Sequence, residues 1–289
     1  MAIKVNNTTV INDSRALQNI SSVDATTAAA MTTAGVGGGA DPAPSVDFSS
    51  PSATYTSSTT WTKPGSIGDD DWVTFYGVGG GGGGGVFKGT GGQRGAQGGA
   101  AFIVAVLGAN CPSSITFTIG AGGTGAYLAW GYGGSAAGTD GGNTTMSASG
   151  HTYTALGGDG SEKNGTVTDK VGVVSFPDPA IIGDWGTDTS QSPTIATTSR
   201  DAYANNAAPT VSVLFVGGHG GGGGMSTPDD GQTSTYGGDG GDGNYNNGNT
   251  YGTPNGSVPG GAGGLHYRPN SNGNAQAGHG GAGSIRVYY

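Results

Sequence analysis

The sequence predicts a mainly β protein, built of short antiparallel strands and hairpins joined by long glycine-rich segments. Three observations predict it. Of the 289 residues, 64 are glycine, and each Gly costs about 1 kcal/mol relative to Ala inside a helix. The glycines are clustered: most lie in residues 77–160 and 217–289. Apolar runs of strand length stand directly beside those clusters.

Residues 1–34 are nearly free of glycine. They read as an extended or short-helix segment, and only 13–31 carry a helix signal, opening at Asp13 or Ser14 as an N-cap. Residues 35–58, with Gly37-Gly-Gly-Ala-Asp-Pro-Ala-Pro44 and a Ser/Thr-rich continuation, read as a linker. Residues 59–289 then form one glycine-rich domain, with a Gly-poor insertion at about 161–210.

Within that domain, Trp72-Val-Thr-Phe-Tyr-Gly-Val78 is a strand that runs into seven glycines, Gly79 to Gly85. Val211-Ser-Val-Leu-Phe-Val216 does the same into Gly217-Gly-His-Gly-Gly-Gly-Gly-Gly224. Ala101 to Leu107 is apolar throughout, which predicts a strand buried on both faces. Ile115-Thr-Phe-Thr-Ile119 alternates, so Ile115, Phe117 and Ile119 share one face. The turn cluster Gly108 to Ser114 joins the two runs, and together they read as a hairpin. Thr144 to Ala148 and Thr152 to Leu156 flank Ser149-Gly150 as a second hairpin. Ser284 to Tyr289 alternates through Ile285, Val287 and Tyr289 as a last strand.

Glycine tracts offer no side chains to bury, so hydrophobic collapse cannot fix them. Ordering each residue costs about 1–2 kcal/mol of backbone entropy. Two outcomes follow. The tracts stay flexible, or they pack side by side as extended threefold polyglycine II helices, whose backbones approach closely without Cβ atoms. The chain supplies several candidate tracts: 79–85, 89–99, 120–125, 131–142, 217–224, 237–243, 260–264 and 278–283.

Composition also excludes functions. With 10 basic and 19 acidic residues the net charge is −9, so nucleic acid is not an expected partner. The longest apolar run, 100–107, is too short to insert into a membrane. Residues 1–10 lack a signal peptide's apolar stretch, which points to synthesis in a reducing cytoplasm. The single Cys111 allows neither an intrachain disulfide nor a cysteine-based zinc site, and reads as a small apolar filler. Matches to G-x-G-x-x-G are expected by chance at this glycine content, and Lys88 is followed by Gly89, so no Walker loop exists. No cofactor is expected.

Gly237-Gly-Asp-Gly-Gly-Asp242 matches the start of a calcium-binding nonapeptide, but Asn244 takes the apolar position and there is one copy. It reads as a solvated loop, and Asp69-Asp-Asp71 as a polar turn. His151, His219, His266 and His279 share no metal-ligand spacing, so no metal is expected. Glu162 is the only glutamate, and no spacing selects a pair of aspartates for glycan cleavage. No enzymatic activity is expected.

The order of elements carries a resemblance. Trp61-Thr-Lys-Pro64 precedes the strand ending at Val78 and its polyglycine. Thr118-Ile-Gly-Ala-Gly-Gly123 and Ala155-Leu-Gly-Gly-Asp-Gly160 follow, and Gly280-Gly-Ala-Gly-Ser-Ile-Arg-Val-Tyr288 ends the chain. Over residues 59–160 and 211–289 this resembles the glycine-rich domain at the distal ends of tail fibres in tailed bacteriophages. Val10 to Ile20 and Val23-Asp-Ala-Thr-Thr27 are similar to segments of virion structural proteins. The resemblance implies a virion tail protein assembled in the host cytoplasm. It implies a homotrimer, attached to other tail proteins through 1–34, whose distal domain meets a host glycan or protein. A purely structural collar or linker fibre, and a capsule-degrading fibre enzyme, are the competing expectations.

Aromatic residues on the glycine-rich turns are the candidate receptor contacts: Tyr127, Trp130, Tyr132, Tyr245, Tyr251 and Tyr267, with His266 and Arg268 beside the last. Such rings give contact area at low entropy cost, and loops tolerate change without unfolding their scaffold. The alternative is that they plug spaces between tracts. The negative net charge favours neutral sugars or protein over phosphate-rich surfaces.

Overall fold

The computed structural model describes residues 3–5, 8–11, 46–87, 95–129, 134–161, 180–183, 230–245, 251–252, 254–267 and 274–289. The chain divides into two units, Met1–Ala43 and Pro44–Tyr289. In the first, β1 (Ile3–Val5) pairs antiparallel with β2 (Thr8–Ile11). The helix expected over 13–31 lies outside the described residues.

The second unit holds β3 (Ala53–Tyr55), β4 (Thr59–Thr62), β5 (Trp72–Val78), β6 (Val86–Phe87), β7 (Ala101–Leu107), β8 (Ser114–Thr118) and β9 (Tyr127–Leu128). It continues with β10 (Thr144–Ala148), β11 (His151–Ala155), β12 (Ala180–Gly183), β13 (Asn244–Tyr245) and β14 (Tyr251–Gly252). The last three are β15 (His266–Tyr267), β16 (Ala275–Gln276) and β17 (Ser284–Tyr288).

A five-stranded sheet, β12-β7-β5-β17-β3, faces a four-stranded sheet, β11-β10-β8-β4. Alternation drives the facing. Val73, Phe75, Phe102, Val104, Val106, Ile285 and Val287 from the first sheet pack in one core with Trp61, Ile115, Phe117, Met146 and Tyr153 from the second. Ring pairs bridge the layers edge to face: Trp61 with Phe75 at 5.3 Å and Phe75 with Phe117 at 6.2 Å between centroids. Such pairs add about 0.5–1.5 kcal/mol beyond burial. The run 101–107 is buried on both faces, as its composition predicts.

Three sequence expectations need correction. The runs 101–107 and 115–119 do not form a hairpin. β7 pairs with β5 and β12, whereas β8 pairs with β4 and β10. The apolar β7 needs cover on both faces and takes the interior of the five-stranded sheet. The half-polar β8 keeps its threonines exposed in the other sheet, so the turn between them crosses the sandwich. The linker expected over 35–58 is too long, because β3 within it is an edge strand paired with β17. Tyr289 does not continue the inward face of Ile285 and Val287 but is 51% exposed. The hairpin around Ser149-Gly150 is present as β10 and β11, with φ of 49° and 80° at the two turn residues.

Of the two outcomes for polyglycine, the structure has the packed one. The 79–85 tract extends β5 and donates with a period of three. Gly79 and Gly82 donate to Ala100 and Gln97, Gly80 and Gly83 to Gly142 and Thr139, and Gly81 and Gly84 to Gly281 and Gly278. Its carbonyls accept with the same period. Gly80 and Gly83 accept from Gly158 and Ser161, Gly81 and Gly84 from Gly123 and Ala126, and Gly82 and Gly85 from Gly263 and His266. Six tracts therefore surround it. Those at 97–100, 136–142 and 277–283 run antiparallel, and those at 120–126, 156–161 and 260–266 run parallel.

Ring neighbours also bond one another, through Gln97 to Asp159, Gly138 to Ser161, Thr139 to Thr124, Gly280 to Gly123, Gly281 to Gly261 and Gly99 to Gly260. Only glycine fits at the centre. A Cβ on Gly79 through Gly84 would fall in turn on the carbonyls of Leu156, Ala121, Gly261, Asp159, Thr124 and Gly264. A Cα–H is aimed at each of those oxygens instead, a contact worth about 0.5–1 kcal/mol.

Glycine carries no register information, so the sandwich supplies it. The 79–85, 120–126 and 156–161 tracts leave β5, β8 and β11, while 97–100, 136–142 and 277–283 enter β7, β10 and β17. Short polar side chains close the lattice boundary by accepting N–H groups for which no backbone acceptor stands among the described residues. Thr144 Oγ1 accepts from Gly120 at 3.0 Å, Asn143 Oδ1 from Gly157 at 2.9 Å and Asp140 Oδ1 from Gly160 at 2.9 Å. The second run-and-polyglycine copy, 211–224, lies outside the described residues. So does all of the 161–210 insertion except Ser161 and β12.

Candidate functional site

Tract direction gives the domain two unlike ends. At one end the tracts merge into the sandwich. At the other they end in two small sheets, β13-β15-β6 and β14-β16-β9. Val86 exchanges backbone bonds with Ala136, His266 donates to Gly85, and Ala277 donates to Ala126, so both sheets cap the same end of the lattice. Phe87, Ala129, Tyr245 and Tyr267 are each the last described residue of a stretch, and Gly95, Gly134, Tyr251 and Asn274 the first of the next. An apolar plug of Val86, Ala126, Ala275 and Ala277, with Leu128 and Ala136 against it, supports the tip from below. Phe87 and Leu265 form a second, fully buried pair.

The five predicted contact residues that are described, Tyr127, Tyr245, Tyr251, His266 and Tyr267, fall on this end. Tyr127 is in β9 and is 56% exposed. Tyr245, Tyr251 and Tyr267 are in β13, β14 and β15. Trp130, Tyr132 and Arg268 lie outside the described residues. His266 is the exception to the expected exposure. It is 3% exposed, beneath the tip surface, because the 260–266 tract packs directly on the 79–85 tract. Its place is in the packing.

Sequence reasoning missed Gln276 and His279. Gln276 is the cross-strand partner of Tyr127, and its side chain lies 3.3 Å from His279 Nε2. His279 Nδ1 accepts the N–H of Gly125 at 3.1 Å. The available signal was position: His279 interrupts a glycine tract, where a side chain has to face a boundary.

At the opposite end a cavity of about 250 Å³ is lined by residues including Val46, Asp47, Trp72, Thr74 and Tyr288. The Ser49 hydroxyl and backbone N–H hold the Asp47 carboxyl below its usual range. Cys111 is buried in the core, and burial pushes its thiol up to about 11. Asp239 and Asp242, from the nonapeptide-like loop, accept backbone N–H groups from Ser234 and Gly231. Among the described residues no group of three or more His, Cys, Asp or Glu side chains is placed to hold a metal ion. No helix among them is long and apolar enough to cross a membrane.

A β-sandwich that carries a hexagonal polyglycine lattice, closed at its far end by short strands, defines a glycine-rich structural domain. The family described as the glycine-rich domain matches residues 50–289, and the chain belongs to that family. No curated protein is similar enough to count as a match.

Proposed function

We propose that the chain is a non-enzymatic bacteriophage tail-fibre protein whose glycine-rich domain presents a host-recognition tip. One observation supports this reading most. The strands that carry Tyr127, Tyr245, Tyr251 and Tyr267 lie on the end of the lattice away from the sandwich. A lattice held by backbone bonds is a rigid support for residues at its end, and surface positions beyond a rigid scaffold are where recognition is tolerated. On this reading the N-terminal segment 1–34 attaches to other tail proteins, and the working form is a homotrimer. The partner at the tip is a host-surface glycan or protein.

Immunogold labelling of intact particles with antibody to residues 230–289, together with adsorption of the purified chain to host cells, tests it. Label on the tail and saturable adsorption are expected. Absence of label from virions would defeat the reading. Tail label without adsorption would favour a collar or linker fibre instead.

A further inference from the structure

We propose that Tyr127 and Gln276 form a platform for an uncharged sugar ring, with His279 as its positioning residue. This rests on the host-recognition reading and names a ligand class for it. β9 and β16 pair antiparallel with Tyr127 opposite Gln276 and Leu128 opposite Ala275. Directly opposed residues point to the same face of a sheet. Burial agrees: Tyr127 and Gln276 are exposed, while Ala275 is buried and Leu128 packs on the plug beneath. Tyr127 is the most exposed large hydrophobic side chain among the described residues. The plug of Val86, Ala126, Ala275 and Ala277 does not include it.

The amide beside that ring is oriented by a chain of hydrogen bonds. The Gly125 N–H points at His279 Nδ1, so Nδ1 bears the lone pair. The proton of the neutral imidazole is then on Nε2. Nε2 lies 3.3 Å from the amide nitrogen of Gln276, Nε2 of that side chain. Two donors do not face each other, so we assign the flipped amide, with its oxygen exchanged into that position to accept from Nε2–H. In that assignment its NH₂ group carries the donors, on a residue whose cross-strand partner is the exposed Tyr127. Asn255 Oδ1 fixes His279 in turn by accepting its backbone N–H at 2.8 Å.

An aromatic face next to fixed amide donors suits a ring with an apolar C–H face and hydroxyl oxygens at its edge. None of the groups in this relay is charged, and the chain's net charge of −9 opposes anionic ligands. A neutral hexose or N-acetylhexosamine fits; a phosphorylated sugar does not.

Saturation-transfer NMR on the full chain, with the methyl glycosides of glucose, galactose and N-acetylglucosamine as probes, tests this directly. Transfer to the ring C–H protons of at least one glycoside is expected. Tyr127→Ala should weaken it about tenfold, the scale of one aromatic contact. Gln276→Glu still accepts from His279 but presents no donor, and should weaken binding similarly with unchanged melting. His279→Asn keeps an acceptor for Gly125 while releasing Gln276. It should lower affinity with unchanged Gly125 amide exchange, which a merely structural histidine would not do. No transfer with any glycoside, or transfer indifferent to Tyr127→Ala and Gln276→Glu, overturns the proposal. Cell adsorption that these variants abolish without any glycoside signal would assign the platform to a protein receptor, and would also overturn it. Adsorption indifferent to both variants rejects the platform and leaves the host-recognition reading standing.

Discussion

Replacing Gly82 by alanine puts the smallest possible side chain at the centre of the lattice. The added Cβ would fall on the Asp159 carbonyl and crowd the Gly160 nitrogen. Backbone, unlike the end of a flexible side chain, cannot swing away, so the 156–161 tract has to move outward. That movement gives up the bonds from Gly158 to Gly80, from Ser161 to Gly83 and from Gln97 to Asp159. At about 1 kcal/mol each the loss is about 3 kcal/mol. Alanine also restricts the unfolded chain, which offsets about 0.4–1 kcal/mol. The net destabilisation is about 2–3 kcal/mol. At about 2–4 °C per kcal/mol for a domain of this size, melting should fall by about 4–12 °C. Gly65→Ala is the matched control, because no atom lies within 4 Å of its Cβ position. It should be neutral or slightly stabilising. Calorimetry of the two variants beside wild type gives the comparison. If Gly82→Ala melts with Gly65→Ala, the tract is not packed as described and the lattice argument fails.

Thr144→Val should cost about 1–3 kcal/mol in melting experiments, because the buried Gly120 N–H loses its acceptor at nearly constant volume. Phe75→Ala, at the junction of the bridging ring pairs, should cost about 3–5 kcal/mol in denaturant unfolding. Cys111 should react with iodoacetamide in the native protein far more slowly than in the unfolded chain at pH 8.5, since its thiol is held up near 11. The same shift means the native state keeps the proton longer than the unfolded state. The contribution of this group to stability is therefore complete below the unfolded pKa and lost as pH rises towards 11. Tyr127→Ala should leave the melting temperature within about one degree of wild type, because the ring is mostly in solvent.

The sandwich was legible because its information lies in side chains. Alternation in 115–119 and continuity in 101–107 gave strand positions and faces correctly. Pairing partners were less legible. The turn at 108–114 looks the same whether it returns along one sheet or crosses to another, and only the cover that β7 needs on both faces decides between them. The lattice was legible as a possibility and no further. Seven identical glycines cannot say which neighbour each one meets. That choice is made by the strands at their ends and by boundary residues such as Asp140, Asn143, Thr144 and His279, whose partners no local sequence pattern names. His266 was misplaced for the same reason. It flanks a tyrosine and an arginine in sequence, yet its backbone belongs to a tract inside the ring. Tyr127 was singled out as an aromatic residue between glycine tracts, and its ring is exposed. Gln276 was not, because its partner across β9 and β16 is 149 positions away in the numbering, and no local pattern joins them.

The central claim is that the 79–85 glycines are a structural element with six hydrogen-bonded neighbours, on which everything at the tip depends. Residue-resolved amide hydrogen exchange of the intact chain tests it most directly. The account predicts that the amides of Gly79 through Gly84 exchange as slowly as those of the β5 residues Val73 and Phe75, by the same global opening. Exchange of those glycine amides within seconds at neutral pH, beside a protected β5, would contradict it.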